Sequence, residues 1–97
     1  MTLEIVQLLY TTFPDVLRSR DDEGWLPIHN LCLNKDLDDT NSLEILQFML
    51  NIDPTLLRER GTYDDYLPIY YAVQYKSTAF CKILIDAYPE SLRSGGG

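Results

Sequence analysis

The chain repeats itself. Leu3-Glu4-Ile5-Val6-Gln7 returns as Leu43-Glu44-Ile45-Leu46-Gln47, and Pro14 returns as Pro54 at the same spacing. A third copy, weaker in letters but equal in pattern, is Thr78-Ala79-Phe80-Cys81-Lys82-Ile83-Leu84-Ile85, which closes on Pro89. A period of this size constrains the fold more than any other feature of the sequence. One such unit cannot bury its apolar face alone and must stack on its neighbours.

Each copy reads as a helix, with Thr2, Ser42 and Ser77 as the expected N-caps. In the middle copy Leu43, Ile45, Leu46, Phe48, Met49 and Leu50 cover too wide an arc for one dry face, so this helix is expected between neighbours. After each proline a second phrase recurs: Asp15-Val16-Leu17-Arg18, Thr55-Leu56-Leu57-Arg58 and Glu90-Ser91-Leu92-Arg93, read as a short turn leading into an extended stretch. A third phrase, Leu26-Pro27-Ile28-His29-Asn30-Leu31-Cys32, is answered at nearly the same spacing by Leu67-Pro68-Ile69-Tyr70-Tyr71-Ala72-Val73. Proline is cheap in a first helical turn, where its missing N–H would have no partner, so each phrase reads as a short helix opened by proline.

With Asp21-Asp22-Glu23-Gly24-Trp25 in the turn and Leu26-Pro27-Ile28-His29-Asn30-Leu31 at the helix start, the chain resembles the ankyrin-repeat family. That family's unit opens with a turn carrying Asp-x-x-Gly, followed by Thr-Pro-Leu-His-x-Ala. Leu26 and Leu67 stand where the family has threonine, Tyr70 where it has histidine, and Asn34 to Asn41 lengthen the first unit. The resemblance implies an all-α fold, a short helical solenoid of ankyrin-like helix-turn-helix repeats with polar turns between units. The expected organisation is one domain over 1–93: a half repeat at 2–13, repeats at about 14–53 and 54–88, the start of a further turn at 89–93, and a flexible tail at 94–97. HEAT-like helical pairs have compatible lengths and are the alternative architecture.

Groups for catalysis are scarce. His29, with Cys32 three residues on and Cys81 elsewhere, is the one set with zinc-ligand chemistry. By the resemblance, His29 is instead a structural residue tying its helix to the adjacent turn, and the two cysteines are small buried positions. Asp36, Asp38, Asp39 and Asn41 alternate like a calcium loop but lack its glycine and its terminal glutamate, so a solvated loop is expected. No phosphate loop, nucleophile elbow or dinucleotide fingerprint occurs. No enzyme activity, cofactor or metal is therefore expected.

Function is expected to lie on the surface, in noncatalytic binding of a protein partner. The family binds partners on a concave face of turn tips and first helices. Carried over position by position, that face comprises Asp22, Glu23 and Trp25, then Leu33 and Asn34, and in the second unit Tyr63, Asp64, Tyr66, Gln74 and Tyr75. Trp and Tyr also suit the role by type, giving large contact area with few rotatable bonds. Fifteen acidic against eight basic residues give a net charge of −7, which disfavours nucleic acid and anionic membranes and favours a basic or neutral protein. The first residues, Met1-Thr2-Leu3-Glu4, lack a basic targeting region, and the two cysteines read as reduced thiols, so an intracellular, cytoplasmic protein is the expectation. Apolar helices at both ends of the chain offer a second reading, in which the terminal helices build a homo-oligomer or belong to a longer array.

Overall fold

The computed structural model describes residues 2–92, so Arg93 and the tail at 94–97 lie outside the described residues. Five α-helices follow one another: α1 (Leu3–Thr12), α2 (Pro27–Leu33), α3 (Asp39–Ile52), α4 (Pro68–Tyr75) and α5 (Thr78–Ala87). A 3-10 turn follows α1, α3 and α5, at Pro14–Arg18, Pro54–Arg58 and Pro89–Leu92 respectively. The repeated phrases thus become repeated elements. The described residues form no strand.

Helix starts follow from local chemistry. Thr2 caps α1 by accepting from the Ile5 N–H at 3.3 Å, and Ser77 caps α5 by accepting from the Phe80 N–H at 3.2 Å. Pro27 and Pro68 each occupy the first turn of their helix, as the sequence predicts. The expectation for Ser42 is corrected: α3 begins earlier, with Asp38 at the N-cap position, and Ser42 is buried inside the helix. Ser42 Oγ instead accepts from Lys76 Nζ, which reaches across from the end of α4, at 3.0 Å, the same Nζ donating to the Asn34 carbonyl at 2.7 Å. Residues 39–41, expected in the loop, join α3 and shorten the connection accordingly.

The core runs through all units. Ile28, Leu31 and Cys32 of α2, Ile45, Leu46 and Met49 of α3, Leu56, Ala72 and Phe80 are fully buried. Helix α3 packs against α1, α2 and α5, which accounts for its wide apolar arc. Helices α2 and α4 lie together in the most extensive contact of the fold.

Polar locks between successive units accompany this packing. Arg18 donates to Asp53 and, through Nη1, to Glu59 Oε1 at 2.8 Å. Arg20 Nη1 donates to the carbonyls of Gly24 at 2.8 Å and Arg60 at 2.9 Å. The first turn closes through the Asp21 N–H to the Trp25 carbonyl and the second through the Gly61 N–H to the Tyr66 carbonyl, so the second loop is one residue longer. Thr62 N–H donates to the Gly24 carbonyl at 3.1 Å, joining the two turns. Gly24 sits at φ +78°, and a Cβ there would stand 2.5 Å from Thr62 Cβ. Gly24→Ala is therefore expected to cost about 1–3 kcal/mol, read as a lowered urea midpoint.

Candidate functional site

The turn and first-helix surface is built around Tyr71, a buried residue of α4. Its hydroxyl donates to Asp64 Oδ2, and its ring meets Trp25, His29, Tyr66 and Tyr70 edge-on, with centroids 5.9 to 6.2 Å apart. Such edge-to-face pairs add to simple burial because ring edges are positive and faces negative. Tyr66 and Tyr70 stack in parallel, 3.8 Å between centroids. Aromatic residues from both units therefore form one cluster whose outer members reach solvent.

Asp21 and Asp64 play equivalent parts in their turns. Asp21 Oδ1 accepts from the Glu23 and Trp25 N–H groups at 2.9 and 3.0 Å, and Oδ2 accepts from Asn30 Nδ2 at 2.9 Å. Asp64 Oδ1 accepts from the Tyr66 N–H, while Oδ2 takes the hydroxyl of Tyr71, which stands in α4 where Asn30 stands in α2. The Asn30 hydrogen bond is the main influence holding the Asp21 carboxyl below the usual aspartate range. Burial alone would raise the Asp64 carboxyl, but hydrogen bonds from Tyr71, Tyr66 N–H and the Trp25 side chain outweigh it and leave it below that range. Both turns thus carry a fixed negative charge.

His29 performs the structural task that the resemblance implies. Its Nδ1 accepts from the Leu26 N–H at 3.0 Å, the role a glutamate or glutamine has in a capping box. That leaves Nε2 as the protonated nitrogen, which donates to the Glu59 carbonyl of the next unit at 2.8 Å. Burial pushes the His29 pKa down. Cys32 is a fully buried thiol with its pKa pushed up by burial, and Cys81 is a free, half-buried thiol. No group of three or more metal-ligating side chains occurs among the described residues.

The residues expected on the binding face are distributed unevenly. Asp22 and Glu23 are exposed at the first turn tip, and Tyr63 is exposed at the second. Trp25 is half-buried against Tyr71, so it bridges the two turns as well as reaching the surface. Asp64 and Tyr66 belong to the same cluster. Leu33 and Asn34 lie at the far end of α2, roughly 10 Å along the axis from the turns by helical rise. Both are half-buried, and the Asn34 carbonyl is occupied by Lys76. Gln74 and Tyr75 are exposed at the corresponding end of α4. Two exposed residues of α4 escaped the sequence reading, Tyr70 and Val73. Tyr70 stands at a position assigned to a structural histidine, and Val73 reads as core by type alone.

Comparison with family models, with curated proteins and with solved structures finds no match. Among the described residues, no helix is long and apolar enough to cross a membrane.

Proposed function

We propose that the chain is a noncatalytic protein-interaction module, a short ankyrin-like solenoid that binds a partner through its turn tips and first helices. The observation that carries this reading is the surface of α4 and its preceding turn. Tyr70, Val73 and Tyr75 on α4 and Tyr63 in the turn before it are large apolar side chains left in water, and Tyr63 is followed along the chain by Asp64 and Asp65. Rigid aromatic anchors on a chain with an acidic turn suit a basic or neutral protein surface. The interlocked turns hold these anchors in place before binding, which lowers the ordering cost of association. The paired turns, the proline-opened helices and the His29 lock are the features supporting the ankyrin-like description.

A photo-activated cross-linker in place of Val73, with one at exposed Gln47 on α3 as the control, tests the proposal in the protein's own cell. The expected result is a discrete higher-mass adduct from position 73 only, lost when Tyr70→Lys is added and weakened as salt is raised. Equal adducts from both positions, or none from position 73, would rule this surface out.

A further inference from the structure

The chain has one histidine, and among the described residues it is the fully buried side chain whose ordinary pKa lies near neutrality. Its hydrogen bonds admit a single protonation state. Nδ1 accepts from the Leu26 N–H at 3.0 Å while Nε2 donates to the Glu59 carbonyl at 2.8 Å. An imidazolium carries a proton on each nitrogen and accepts no hydrogen bond. A second proton would point at the Leu26 N–H, so the charged ring cannot stay where the neutral ring sits. Both bonds belong to the paired turns. Leu26 directly follows the first turn, and Glu59 leads into the second beside Arg60, whose carbonyl accepts from Arg20 at 2.9 Å. The Thr62 N–H to Gly24 carbonyl bond links the same two turns.

A charged ring finds partners close by. Asp21 of the first turn, Asp64 of the second and Glu59 after the second 3-10 turn all act on the imidazole through their charges. Arg20 opposes them, and Tyr71 of α4 meets the ring edge-on at 5.9 Å with its hydroxyl donated to Asp64. Three carboxylates against one guanidinium favour an imidazolium that has left its buried seat. By contrast, Ile45, Leu46 and Met49 of α3 and Phe80 and Leu84 of α5 are buried with no titrating group among them. We propose that His29 is an acid-operated latch on the paired turns: a proton taken up from solvent at Nδ1 expels the ring from between Leu26 and Glu59, and the turns part while α3 and α5 stay packed. Openings smaller than global unfolding are a general property of folded domains, and here one proton biases one of them. Trp25 directly precedes Leu26 and meets Tyr71, so the aromatic cluster loses its first-unit member when the latch opens. For binding, the consequence rests on the surface proposed above: it is held assembled at neutral pH and dispersed in acid.

Native-state amide hydrogen exchange on the isotope-labelled whole protein, at pH 7.5 and pH 5.5 and in low, increasing concentrations of urea, tests the latch. At the lower pH an opened ring with the ordinary pKa of 6.5 is protonated by about ten to one. Protection of the Leu26 and Thr62 amides is therefore expected to fall about fivefold or more from the higher pH to the lower. At pH 5.5 it should lie below that of Met49 and Leu84 and, unlike theirs, scarcely change with urea, because parting the turns leaves the α3 and α5 core covered. In His29→Gln the protection of Leu26 should be the same at both pH values. The proposal is overturned if Leu26 and Thr62 keep their full protection at pH 5.5, or if they share the protection and the urea dependence of Met49 and Leu84 there, since the ring would then be released only by whole unfolding. An equal fall in His29→Gln would overturn it as well. Should that variant fail to fold by circular dichroism, the two wild-type comparisons decide alone. A missing adduct at position 73 would remove the binding reading and leave the exchange result standing.

Discussion

Replacing His29 with alanine is expected to remove a large share of the protein's stability. The imidazole satisfies two backbone groups at once, the Leu26 N–H through Nδ1 and the Glu59 carbonyl through Nε2, and its side chain is fully buried. Alanine strands both and leaves a void between α2 and the second unit. Each orphaned group costs about 1–3 kcal/mol, so the sum is roughly 2–6 kcal/mol before the void is counted. A domain of this size has a total stability of about 5–15 kcal/mol. His29→Gln is expected to lose less, because an amide can present an oxygen toward Leu26 and an NH2 toward Glu59. Urea titrations of the three proteins check the order.

The same contact makes stability depend on pH. Burial lowers the His29 pKa in the folded state below the ordinary value of 6.5, so between the two values the unfolded chain binds more protons. The histidine's contribution is therefore complete above about pH 6.5 and is lost as pH falls through that window, where a proton on Nδ1 would face the Leu26 N–H. Asp21 and Asp64 add a separate loss at lower pH. Their lowered carboxyl values favour the fold above the unfolded value of 3.8 and cease to do so as pH falls through the folded values. The urea midpoint of the wild type should decline below about pH 6.5, while that of His29→Gln stays level until the carboxylates titrate.

Much of the helical architecture is legible in the sequence because it rests on local chemistry. Proline at 27 and 68 and the hydroxyls at Thr2 and Ser77 act within one turn of where they stand, and each marks its helix start correctly. Ser42 misleads because its partner, Lys76, comes from another helix far along the chain, and nothing near Ser42 shows that an ammonium will arrive. Trp25 divides its surface between solvent and Tyr71 of the next unit, for the same reason. The outward position of Val73 was not legible at all: an apolar residue on a short helix reads as core until the packing of α2 and α4 assigns the faces.

The sharpest case of that limit is also the second large expected effect. Ile5 and Ile45 are the same residue in the same phrase, one repeat apart, and the phrase itself does not tell them apart. Ile45→Ala removes a branched side chain from a fully buried site where α3 meets its neighbours, and is expected to cost about 2–5 kcal/mol. Ile5→Ala removes a side chain that is already 52% exposed, and alanine's better helix propensity returns part of what is lost, so a change within about 1 kcal/mol is expected. The contrast follows from the packing, since α1, α2 and α5 all contact α3, which carries Ile45. Equal destabilisation by the two alanines would mean that the side of α1 carrying Ile5 is covered in solution.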